Sequence, residues 1–158
     1  MRASTRATGG SPLKLRIADA ADLEVASTLL QDALVPVGDI AWLPSERRFV
    51  MVVNRFRWES SGDERASDSE RVLAGVSFGA VTTVRLRDID LGRRDMFLSL
   101  LAIVAAEGDG GGPVVDIAFA GTEGTRPTIR IAVERLDGLV EDFGEAWPTS
   151  WRPAHARG

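Results

Sequence analysis

Arginines are the residues whose type and spacing could do chemistry in this chain. Arg55 and Arg57 lie two apart, and so do Arg85 and Arg87. Both pairs fall in stretches that alternate like strands, where residues two apart point to the same face. If the two strands are neighbours, four guanidinium groups make one anion-binding face with Trp58 at its border. Guanidinium forks grip carboxylates and phosphates in bidentate fashion. The plainer reading is a solvated sheet face whose arginines meet cross-strand acids such as Asp88 or Glu59. The sequence leaves both open.

Residue types narrow the remaining chemistry. There is no Cys and a single His, His155, close to the C-terminus. A nucleophile activated by imidazole needs that base within hydrogen-bond reach, which a tail residue does not supply. Zinc sites built from several Cys or His ligands are excluded. Asp88-x-Asp90-x-Gly92 resembles the start of a calcium loop, but its Gly comes one residue early and Ser99 stands where the pattern wants Glu. We therefore expect no metal site and no cofactor. Gly108 to Gly112 is glycine-rich, yet it joins two strand-like stretches rather than a strand and a helix. A phosphate cradle needs the helix N-terminus, so a hairpin loop is the expectation. Trp147 and Trp151, four apart in a Pro/Arg-rich tail, either anchor a partner or clamp the tail against its own domain.

The net charge is −4, and a general nucleic-acid binder is usually basic, so no nucleic acid is expected. Of the 19 basic residues only Lys14 is Lys; a GC-rich genome explains that as well as selection for Arg forks does. Hydrophobic residues make up 44% and charged residues 27%, the mix of a globular domain. No apolar run reaches the length of a membrane span, and no secretory h-region follows the N-terminus. With the lack of Cys, these point to the cytoplasm and to no membrane association.

The elements that must position the arginines follow from periodicity. Residues 1–12 read as a polar tail, 13–145 as one domain, and 146–158 as a C-terminal tail. Lys14 to Ala18 reads as a strand. Asp19 then caps a helix whose stripe is Leu23, Ala26, Leu30, Ala33 and Leu34, ended by Pro36 and Gly38. Strands are expected over 40–43, 49–58, 72–78, 81–86, 97–106, 114–120 and 128–133, with a solvated loop over 60–70. Leu136, Leu139, Val140 and Phe143 have the spacing of a short amphipathic helix, with Gly144 at its end. The class is α+β: a mainly antiparallel sheet of about seven to eight short strands with one N-terminal and one C-terminal helix. That strand order, closed by a helix, is similar to the pleckstrin-homology superfold.

Several stretches resemble a bacterial family, domain of unknown function 2948. They include Leu13-Lys14-Leu15, Leu30-Gln31-Asp32-Ala33, Asn54-Arg55-Phe56-Arg57-Trp58-Glu59, Leu98 to Ile103, and Trp151-Arg152-Pro153-x-His155. The Asn-Arg-Phe-x-Trp-Glu motif is the most specific. Phe78-Gly79-Ala80-Val81 departs from the family's Phe-Asp-Arg-Val, which puts in doubt any site built on that strand. The resemblance implies no activity, cofactor or catalytic residue. The expectation is a non-catalytic binding or adaptor module for a protein partner or an anionic small molecule. An enzyme using carboxylate or Arg chemistry, and a homo-oligomer joined through a strand edge or the Trp tail, stand as alternatives.

Overall fold

The structure is a computed structural model that describes residues 12–57 and 71–143. Among them the chain runs β1 (Lys14–Ile17), α1 (Ala20–Leu30), β2 (Leu34–Pro36), β3 (Ile40–Leu43), β4 (Arg48–Phe56), β5 (Arg71–Phe78), β6 (Val81–Arg87), β7 (Phe97–Glu107), β8 (Pro113–Phe119), β9 (Thr128–Val133) and β10 (Gly138–Asp142). The strands form one sheet in the order β1-β10-β5-β4-β2-β7-β8-β9-β6, with β3 beside β4. Every pairing is antiparallel.

The helix begins where the sequence places it. The Asp19 carboxylate accepts from the Asp22 N–H at 2.9 Å, which satisfies one of the free donors of the first turn. Leu23, Ala26 and Leu30 form its buried stripe. It ends earlier than its apolar spacing suggests. Asp32 takes a left-handed φ of 67°, and Leu34 opens β2 opposite Ser99 of β7. Pro36 cannot donate inside a helix, and β7 offers its neighbours a ladder instead.

The sheet curls around a single core. Ile17, Leu23, Phe49, Met51, Val76, Phe78, Ile117, Ile129 and Ile131 belong to one buried cluster although they come from both ends of the strand order. The turn at Gly79-Ala80 makes the corner. Ala80 has a φ of 55°, and the Val81 N–H then reaches the Arg47 carbonyl at 3.0 Å, bringing the start of β6 against the start of β4.

All eight strands expected from alternation form, and β2 and β10 raise the number to ten. β10 replaces the expected C-terminal helix, so the only α-helix among the described residues is α1. The physical reason lies in its surroundings. An isolated helix of that length is marginal, whereas β1 and β5 offer hydrogen bonds on both sides. Burial across β10 accordingly alternates with period two. Asp137-Gly138 is a turn signal that the helical spacing obscured. The described residues therefore contain no C-terminal helix that plugs the sheet in the pleckstrin-homology manner.

Candidate functional site

Arg55 does not face solvent. It shares the parity of Phe49, Met51 and Val53 on β4, and that face is the core. Its side chain is 0% exposed. The Nε and Nη2 atoms donate to the two carboxylate oxygens of Asp142, each at 2.9 Å, and Nη1 donates to the Phe56 carbonyl at 3.0 Å. Asp142 sits on the core parity of β10 and also accepts the Leu13 N–H at 2.8 Å. This bidentate fork is the strong form of an Arg–carboxylate pair. It joins β4, β10 and the approach to β1.

Arg71, which the sequence reading overlooked, completes the arrangement on the opposite face. It is buried. Its Nη1 donates to the Asn54 carbonyl at 3.0 Å, and its guanidinium lies 3.8 Å above the Phe56 ring. The Asn-Arg-Phe portion of the specific motif thus works as a clasp. For Arg55 the need for a partner, though not its identity, was legible: an Arg on a strand's apolar parity demands a buried acid.

The four expected arginines do not share one face. Arg55 points inward, while Arg85 and Arg87 are exposed on β6, at the far end of the strand order from the β4 neighbourhood. Arg57 is half-buried just beyond β4. Trp58, Trp147 and Trp151 lie outside the described residues, as does His155. Beside Arg85 stands Arg130 of β9, and Arg130 is neutralised by Asp116 of β8 through two bonds of 2.8 Å. That carboxylate holds the Arg130 pKa above its ordinary value. Arg87 and Arg126 line a cleft of about 560 Å³ with Asp88 and Thr125. The Asp88 carboxylate there accepts the Arg126 N–H at 2.8 Å.

A second feature lies where α1 meets β7. β2 pairs with Phe97 to Ser99 of β7, Asp32 and Ala33 extend those main-chain bonds to Leu100, and β8 pairs with the opposite edge over Leu100 to Glu107. The rest of the first edge faces α1. There the Ile103 N–H donates to Ser27 Oγ at 2.9 Å. Because main-chain groups alternate along a strand, the N–H and C=O of Ala105 project from that same edge, past the reach of Ser27. No described strand pairs with them. A groove of about 400 Å³ runs alongside, lined by Leu23, Glu24 and Ser27 of α1 and by Ile103, Val104 and Ala105 of β7.

The other sheet edges are guarded. β1 carries exposed Lys14 and Arg16, and β6 carries exposed Arg85 and Arg87. β3 is four residues long and wholly buried or half-buried. Charge and brevity are the means by which proteins blunt open edges. The β7 stretch Leu101 to Ala106 has neither charge nor Pro, and Leu101 and Val104 are 49% and 52% exposed.

Among the described residues no helix is long and apolar enough to cross a membrane. The family model that matches the chain is described as a protein of unknown function (DUF2948) and covers residues 13–155. No curated protein and no solved structure matches.

Proposed function

Since the chain belongs to the DUF2948 family, whose description assigns no reaction, we propose a function from geometry: a non-catalytic module that binds an extended segment of a partner protein along β7. One observation carries it, the unguarded edge from Ile103 to Ala106 beside α1. Strand addition to such an edge gives affinity through main-chain hydrogen bonds and specificity through the flanking side chains. α1 forms one wall and the strand supplies donors and acceptors.

The test uses Ala105→Pro in the full chain. The Ala105 N–H points away from β8, and Pro is tolerated on an edge strand where its missing N–H faces outward. The variant should fold with native stability and lose strand addition. Peptides selected from a displayed random library should shift the amide signals of residues 20–28 and 103–107 in the natural protein and leave the variant's unchanged. Equal responses from the two proteins would refute the reading.

A second reading rests on the cleft between Arg87 and Arg126. Two guanidinium groups there suit an anionic small molecule, held in part against the nearby Asp88. Thermal unfolding with phosphorylated metabolites decides it. A ligand at 100 times its Kd stabilises by about 2.7 kcal/mol, and that shift should vanish in Arg87→Ala/Arg126→Ala.

A further inference from the structure

We infer that the segment taken by the β7 groove is a basic strand from another protein, with a Lys or Arg set against Glu24; the inference rests on the strand-addition reading above. Three observations bear on it. Among the described residues, Glu24 is the only charged side chain lining the groove, and it is exposed and has no ion pair there. The neighbouring acids of α1 are engaged: Asp19 caps the helix, and Asp22 accepts the Ala18 N–H at 2.9 Å. Glu107, exposed at the far end of the open edge, also lacks an ion pair among the described residues. A strand entering beside α1 and β7 therefore meets two carboxylates without ion pairs and, among the described residues that line the groove, no cation.

Small or β-branched side chains suit the rest of such a strand. Val104 and Ala105 leave a shallow apolar surface, and alternate residues of an added strand would face it.

Of two nearer candidates, charge argues against the first and anchoring against the second. In a second copy of this chain the equivalent edge already carries its own α1, and its Glu107 would be brought towards Glu24 with no base between them. The chain's own residues 1–11 hold Arg2 and Arg6 and no acid, so their composition fits. Their attachment does not favour them. β1 runs from Lys14 towards α1, whose first residue, Ala20, lines the groove. Leu13, to which residues 1–11 lead, is held by Asp142 of β10 through both its N–H and its carbonyl, and β10, β5, β4 and β2 stand between β1 and β7 in the strand order.

The experiment uses the full-length isotope-labelled protein and three capped seven-residue peptides. Each alternates Thr and Val and differs only at its centre, which is Lys, Gln or Glu. Amide shifts of residues 103–107 report binding. The Lys peptide should bind about two- to five-fold tighter than the Gln peptide, as one partly exposed ion pair allows, and the Glu peptide should bind weakest. Glu24→Gln should erase that order and Glu24→Lys should invert it. Equal binding of all three peptides at residues 103–107 overturns the charge inference and leaves strand addition standing. Absence of any response overturns both. Protection of the Ala105 amide without peptide overturns the choice of partner: growth with protein concentration assigns the groove to a second copy, and loss on deleting residues 1–11 assigns it to the chain's own terminus.

Discussion

Arg55 and Asp142 show how burial reverses the meaning of a charged residue. An exposed arginine would be available to a ligand; this one is a fixed part of the core. Removing one partner of a buried pair leaves the other charge uncompensated, at a cost of about 3–5 kcal/mol. Arg55→Ala and Asp142→Ala should each lower the stability measured by urea unfolding by that order, and neither should act as a clean binding variant. The exposed pair between Arg47 and Glu134 behaves differently. Its hydrogen bond, then its Coulombic attraction, holds the Glu134 carboxyl below its ordinary pKa. A depressed native pKa means that the stabilisation is present above the unfolded-state value and fades as pH falls through the native one. The melting-temperature difference between the natural protein and Arg47→Gln should therefore shrink on acidification below that native pKa. In the variant, the NMR titration of Glu134 should return towards the ordinary carboxylate range.

At the scale of elements, close packing decides what can be changed. Gly138 opens β10 directly opposite Phe78 of β5. A Cβ there would stand 2.8 Å from the Phe78 ring and 3.2 Å from Ile17 Cβ. Gly138→Ala should cost about 1–3 kcal/mol through overpacking, read as a lower denaturation midpoint. Asp19→Ala should cost about 1 kcal/mol through the lost cap. These two sites also mark what the sequence could and could not convey. The cap was legible because its signal is local: an Asp before an apolar stripe. The eight strands were legible through alternation. β10 was not, because Leu136, Leu139, Val140 and Phe143 satisfy a helical period too, and only the presence of β1 and β5 decides between them. The partner of Arg55 was hidden for the same reason. Asp142 lies 87 residues further along, and no local pattern links the two. The open edge of β7 is likewise a property of strand order, which periodicity does not contain.

Across the whole molecule, the contrast between guarded and unguarded edges governs behaviour in solution. Val104 is half-exposed and faces outward beside the groove, so a charge there is solvated. Val104→Lys should leave stability within about 0.5 kcal/mol and abolish the amide response to added peptides. A variant that still responds would place the binding surface elsewhere.

The position of β10 between β1 and β5 has a consequence for biosynthesis. The last described strand is the one that the first described strand needs as a partner. As the chain leaves the ribosome, β1 has nowhere to dock and the Arg55 guanidinium has no counter-ion until Asp142 has emerged. Ribosomes add about 5–20 residues per second, so the nascent chain waits several seconds with an unfinished sheet and a cation that cannot yet be buried. This domain cannot close before β10 has emerged, and nascent chains halted before residue 138 should remain sensitive to protease.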